Sequence, residues 1–255
     1  MTQAELKELL DEKYHFYHAR FFIEPDPISI PHQFDKKEDI EISGFLAATL
    51  AWGQRPVILR NANLLMKGMD FSPHEFVLDH RPEDRLRFKD FKHRTFNFDD
   101  LNFFLASLQN IYRNLGGLEN CFKAHPEEEN TAGSISRFRE AFFSTEHLPR
   151  SKKHVSDPKR NSACKRLNMF LRWMVRKDEP AIDFGIWNSL KPSQLSCPLD
   201  LHSGRVARQL GLLKRKQNDW KAVEELDDSL RKLDPEDPVK YDFALFGMGV
   251  FENKI

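Results

Sequence analysis

The segment Cys197-Pro198-Leu199-Asp200-Leu201-His202-Ser203-Gly204-Arg205-Val206-Ala207-Arg208-Gln209-Leu210-Gly211-Leu212 reads as a short extended approach, a capped helix and a glycine stop. Asp200 stands at the N-cap position, where a carboxylate accepts backbone N–H groups and meets the positive end of the helix dipole. Gly211 sits where a helix ends in a left-handed residue. A carboxylate so placed is expected to stay ionised, which suits it to stabilise a cation or hold an ammonium. Aspartate is also a common cap with no further duty.

Helical period extends in both directions from this segment. Ile42, Phe45, Leu46, Thr49 and Leu50 recur at i, i+3, i+4, i+7 and i+8. Leu101, Phe104, Leu105, Leu108, Ile111, Tyr112 and Leu115 continue the pattern over four turns, with Asp99 or Asp100 as the expected cap and Gly116-Gly117 as the stop. Leu167, Phe170, Leu171 and Met174 form another stripe. Helices are also predicted over 2–22, 200–210, 218–232 and 236–251, the last opening on Asp234-Pro235. Strand alternation is nowhere sustained. The class predicted is all-α, with about ten or more helices.

Composition bounds the rest. The chain has 255 residues, 40% hydrophobic and 31% charged, with 22 Phe, 11 Gly and 14 Pro. That apolar content supports a core and argues against wholesale disorder or a fibrous fold. No apolar run is long enough to span a bilayer, so no membrane partner is expected. The opening Met1-Thr2-Gln3-Ala4-Glu5-Leu6 lacks the pattern of a secretory signal. Cys121, Cys164 and Cys197 are odd in number and far apart, which fits a reduced, cytoplasmic protein. They form no C-x-x-C pair, and His15 and His18 lack a third partner, so neither a metal nor any other cofactor is expected.

Formal charge is zero, with 39 Lys and Arg against 39 Asp and Glu. The balance hides a strongly basic stretch over 150–177, which contains Arg150, Lys152, Lys153, Lys159, Arg160, Lys165, Arg166, Arg172, Arg176 and Lys177. Such a run is either a solvated face or a strip that neutralises backbone phosphates. The proline-rich stretch 24–34 is predicted as a surface crossing, and the polar, basic 145–163 as a loop.

The pattern Pro-Leu-Asp-x-His-x-x-Arg-Val-Ala-x-x-Leu-Gly-Leu over 198–212 resembles the aspartate-bearing signature of the helix-hairpin-helix DNA glycosylases. The segment 219–233 resembles the helix that follows in that superfamily. Asp234 to Gly249 resembles its glycine-ended helix at the back of the site. Ile42 to Gln54 resembles the helix and turn that carry a DNA-facing glutamine. The superfamily's Gly-Val-Gly hairpin is absent. In its place stands Ser162-Ala163-Cys164-Lys165-Arg166-Leu167-Asn168-Met169-Phe170, which looks most like the archaeal 8-oxoguanine glycosylase branch, itself without that hairpin. Nearly the whole chain also resembles an uncharacterised bacterial family, which supplies no activity.

The resemblance implies a two-lobed helical fold. Residues 1–42 would pack with the C-terminal lobe, 43–190 would form the helical barrel lobe, and 191–255 would carry the aspartate motif. It implies Lys165 as nucleophile and Asp200 as its partner. Gln54, Arg55, Arg166, Arg172 and Arg205 would contact DNA, and Trp52, Trp173, Trp187 and Phe184 would wall a base pocket. A structural hydrogen bond is expected of His202.

In that chemistry a neutral lysine amine attacks C1′ of a flipped nucleotide while the aspartate stabilises the cationic transition state. On the helical wheel Lys165 lies opposite the Leu167–Phe170–Leu171–Met174 stripe, on a face shared with Met169, Arg172 and Arg176. The expected activity is excision of an oxidised base such as 8-oxoguanine from damaged double-stranded DNA by a monomer, with strand cleavage through a Lys165 Schiff base. Two alternatives stay open: an inactive nucleic-acid-binding protein of the same fold, and a helical protein-interaction scaffold.

Overall fold

The computed structural model describes residues 1–19, 23–179 and 181–252. Among these residues the chain is all-α. In order, its helices are α1 (Gln3–Tyr17), α2 (Lys37–Leu50), α3 (Arg55–Gly68), α4 (Pro73–Asp79), α5 (Phe98–Asn114), α6 (Leu118–Phe122), α7 (Ala132–Phe142), α8 (Lys165–Val175), α9 (Leu201–Gln209), α10 (Trp220–Arg231) and α11 (Tyr241–Phe251). The strands are β1 (Lys92–His93) and β2 (Phe96–Asn97), an antiparallel pair with Lys92 opposite Asn97.

Several boundaries differ from the sequence expectation, each for a local reason. The cap of α5 is Asn97, whose side chain accepts from Asp100 N–H while the Asp100 carboxylate accepts from Asn97 N–H. Asp100 is thus the third helical residue, fully buried, with Ser151 Oγ at 2.8 Å and His154 Nε2 at 3.2 Å. The last helix begins at Tyr241, because Asp234 turns back onto the N–H groups of Glu236 and Asp237 and Pro238 opens a separate 3-10 turn. Helix α1 stops at Tyr17; the last three residues of its expected span, 20–22, lie outside the described residues.

The stretch 24–34 is not a surface crossing. It forms two 3-10 turns, and Pro27, Ile28, Ile30 and Pro31 are buried. The segment 145–163 also holds two 3-10 turns, and Ser151, His154, Val155 and Pro158 within it are buried.

Contacts divide the chain into two units. One comprises Met1–Ile23, Ala124–Gly133 and Asp157–Ile255, and the other Glu24–Lys123 and Ser134–Ser156. Residues 157–190, expected with the barrel lobe, therefore group with the C-terminal helices. The second unit is built on phenylalanine. Phe45 meets Phe138 at 5.4 Å and Phe142 at 5.5 Å, Phe104 meets Phe142 at 4.8 Å, and Phe122 stacks on Phe138 at 4.0 Å. Such ring pairs add to the apolar area they remove from water.

In the first unit α1 and α9 both pack on α11. The approach of α1 is set by Gly247. A Cβ there would sit 2.3 Å from the Tyr17 ring. That ring has little freedom to yield: it is 3% exposed, stacks on Phe251, and its hydroxyl donates to Glu252 at 2.6 Å. Glycine to alanine in a helix ordinarily stabilises by about 0.5–1 kcal/mol. Here Gly247→Ala is expected to destabilise by about 1–3 kcal/mol through overpacking. A fall in the denaturant midpoint at constant m-value checks this, and a rise contradicts the packing described.

Candidate functional site

Helix α8 starts in an unusual way. Asn161 and Cys164 are non-glycine residues in the left-handed region, at φ +58° and +49°, and Cys164 is the N-cap without a side-chain capping bond. Such conformations cost free energy and persist only where surroundings enforce them. Here the Asn168 amide donates back to Ala163 O, and Thr131 Oγ donates to Asn168 Oδ1 at 2.7 Å. Lys165 is the first residue of the helix and lies off the buried stripe, with its side chain 35% exposed.

Asp200 caps α9 as expected. Its Oδ1 accepts from His202 N at 2.8 Å and Ser203 N at 2.9 Å, and Ser203 Oγ accepts in return from Asp200 N. With Oδ1 engaged, Oδ2 faces Lys165 Nζ at 3.2 Å. The two groups are remote in sequence and meet at two helix starts. Burial opposes ionisation of Asp200, yet the Lys165 charge and the Ser203 bonds outweigh it and hold the carboxyl below its ordinary range.

His202 makes the hydrogen bond expected of it, with Nδ1 donating to Gly249 O at 3.1 Å. Arg205 donates to the same oxygen at 2.7 Å. A Cβ at Gly249 would lie 2.9 Å from the backbone of His202, so this glycine is what lets α11 approach the start of α9. Asn218 was not foreseen. Its amide donates to Asp200 O at 2.8 Å, and it reaches there over Gly204, where a side chain would meet it. The readable signal was the Asp200–Ser203 spacing of a reciprocal cap. Nothing local marks Asn218.

Other expected site residues fall elsewhere. Arg172 is not available to DNA: it is 4% exposed, bonded to Asp183 at 3.3 Å and to Asp242, and lies over the Phe243 ring at 4.2 Å. Arg176, on the same face, is 2% exposed and bonded to Asp183, Asp237 and Tyr14. The face that Lys165 shares with them is therefore open only at its first turn. Trp173 and Trp187 are core residues at 0% and 2% exposure, too enclosed to wall a base pocket. Phe184 is half-buried and pairs through its backbone with Trp173 and Lys177. Arg166 is half-buried and Arg205 exposed.

Trp52, Gln54 and Arg55 belong to the second unit. Gln54 is exposed at the start of α3, Arg55 lies 3.9 Å from Asp26, and the Arg94 guanidinium covers the Trp52 ring at 4.7 Å. A cavity of about 610 Å³ in the first unit is lined by His125, Glu128, Lys191, Gln194, Asp228 and Arg231 among others, and includes neither Lys165 nor Asp200. No cluster of three or more metal-binding side chains occurs among the described residues, and no helix among them is long and apolar enough to cross a membrane.

Fold and site together define an all-α protein with a lysine and a capped aspartate paired at the heads of two helices. The chain belongs to DUF2400, a family of proteins of unknown function, which matches residues 26–251. No curated protein and no solved structure matches the chain.

The approach to Asp200 rests on a second carboxyl. Asp227 is 1% exposed; its Oδ1 accepts from Cys197 N at 2.8 Å, while Oδ2 lies 4.0 Å from Arg231 Nη1. Burial pushes it up to about 7, with Asp228 adding to the push and the Cys197 N–H, Arg231 and Ser196 opposing it. The folded protein therefore keeps a proton that the unfolded chain releases near 3.8. This contribution is complete below about pH 4 and is lost as pH rises toward 7. Asp227→Asn keeps the acceptor for Cys197 and removes the titration. Its melting temperature is expected to exceed the wild type's at pH 8 and to approach it near pH 4; parallel profiles contradict this.

Proposed function

We propose that this protein is a DNA-repair glycosylase that excises an oxidised base, with 8-oxoguanine as the leading candidate, and cleaves the strand through a lysine Schiff base. The carrying observation is the 3.2 Å approach of Lys165 Nζ to Asp200 Oδ2. An ion pair at a half-exposed site adds little stability, so stability is a poor reason to hold a carboxylate and an amine in this geometry. The resemblance of 198–212 and 162–170 to the glycosylase superfamily supports the same reading.

In this reaction the C1′–N bond of an everted nucleotide breaks and its electron pair leaves with the base. Asp200, anionic and aimed by two backbone N–H groups, stabilises the positive charge developing at C1′. The Lys165 ammonium gives up a proton, which the departing base can accept, and its lone pair forms the C1′–N bond. The C1′–O4′ bond then breaks as the nitrogen lone pair forms the iminium, and O4′ takes a proton from that nitrogen. A C2′ proton passes to water as the C3′–O bond breaks and the 3′ phosphate leaves.

Borohydride trapping tests the proposal. Incubation with a duplex carrying 8-oxoguanine and sodium borohydride is expected to yield a covalent protein–DNA adduct. Lys165→Ala should abolish the adduct. Asp200→Asn, which keeps the size of the cap, should slow its formation by roughly 10²–10³-fold. Duplex binding without any adduct favours the inactive nucleic-acid-binding protein, and no salt-dependent duplex binding at all favours the protein scaffold.

A further inference from the structure

The cations on the two segments linked to the Lys165–Asp200 pair are not all alike. The segments 157–164 and 214–221 are joined by a clip. Ser162 and Asp219 form an antiparallel bridge, Trp220 N donates to Asn161 O at 3.2 Å, and Asn161 Nδ2 donates to Asp219 Oδ2 at 3.0 Å. Arg215 closes the clip with two hydrogen bonds to the Asp219 carboxylate, which holds that carboxyl down to about 2. One step away, Asn218 donates to Asp200 O and accepts from Arg208. The clip is thus continuous with the backbone of the capped aspartate, and Ser162 lies three residues before Lys165.

Arg215 and Arg208 are occupied in holding these segments. Arg160, Lys214, Lys216 and Lys221 are exposed and make no ion pair among the described residues. The nearby acid Glu225 is spent on the backbone N–H groups of Lys214 and Arg215, and Glu224 accepts from the Trp220 indole. Cations without an ion-pair partner on a pinned scaffold carry little rotational freedom in their backbone and present a fixed array of charge. Among the described residues at 157–221, Leu201 is the one exposed large apolar side chain. A membrane-surface segment needs an apolar face to insert, which these segments lack, whereas phosphate recognition needs cations alone.

We infer that Arg160, Lys214, Lys216 and Lys221 form the surface that grips the phosphate backbone of duplex DNA beside the Lys165–Asp200 pair, in place of the absent glycine hairpin. This rests on the glycosylase reading for the identity of the duplex. The segment 214–221 lies outside the basic run 150–177, and the clip is what joins them into one array.

Each phosphate neutralised contributes about 0.9 to the slope of log affinity against log salt. The Lys214→Gln/Lys216→Gln double variant, both positions exposed, is compared with wild type and with Lys232→Gln, an exposed lysine outside the array. The probe is a labelled duplex with one abasic site, titrated from low to moderate salt. The double variant is expected to lose about 2 from the slope and one to two orders of magnitude in affinity at about 0.1 M salt, with Lys232→Gln unchanged. An unchanged slope in the double variant overturns the inference, as does binding to phosphatidylserine vesicles in place of duplex. The trapping reaction is read separately: an adduct with wild type alongside an unchanged slope sinks this surface alone, and a lost slope without any wild-type adduct sinks the glycosylase activity and leaves the surface standing.

Discussion

Two arginines one helical turn apart, Arg172 and Arg176, are held out of water on the same carboxylate, Asp183. Desolvating two guanidinium groups is costly, and the cost is offset only when every charge is paired in good geometry. Here it is. Asp183 receives from both, Asp242 takes a second nitrogen of Arg172, Asp237 takes Arg176 Nε through both oxygens, and Tyr14 takes a further nitrogen. The Phe243 ring lies against both guanidinium groups. The partners come from α1, α11 and the loops before and after, so α8 is tied to each. A helix fixed this way cannot rotate about its axis without stranding a charge, and Lys165 at its head inherits that orientation.

The same constraint explains the asymmetry of the site. Asp242 is buried and pushed up to about 6, with Arg172 opposing the push, and Lys165 and Asp200 both contribute to its field. Asp200 sits at the other extreme, held low by the amine and the cap. Two carboxyls in one neighbourhood are thus driven apart, one shielded inside the arginine network and one aimed at the lysine. Asp242 is engaged by Arg172, and Asp200 Oδ2 is the oxygen that pairs with the amine.

The sequence was legible where the physics is local. The stripe of α8, the cap at Asp200 and the Gly211 stop depend on residues within a turn or two, and each stands where the period put it. Asn97 displaced Asp99 and Asp100 as a cap because all three residues fit the role by type, and only Ser151, His154 and Arg150, about fifty residues on, draw Asp100 inward. Arg172 and Arg176 read as surface residues because their acids lie at 183, 237 and 242. No window along the chain contains that balance. Trp173 and Trp187 failed as pocket walls for the reverse reason: aromatic type alone does not distinguish a core residue from a lining one, and here both were needed to fill the first unit.

The absent hairpin sharpens this distinction between local and distant information. A glycine hairpin presents backbone N–H groups to phosphate through left-handed residues that cost glycine nothing. This chain keeps left-handed turns at Asn161 and Cys164 but fills them with side chains, so strain replaces conformational freedom. The Asn161 side chain is then used to hold Asp219, and through Asp219 the segment 214–221. This turn builds a scaffold through its side chain, and exposed lysines stand on the segment it holds. The Lys165–Asp200 pair could be anticipated from two short motifs, but this clip could not, because it depends on an asparagine and an aspartate 58 residues apart becoming neighbours.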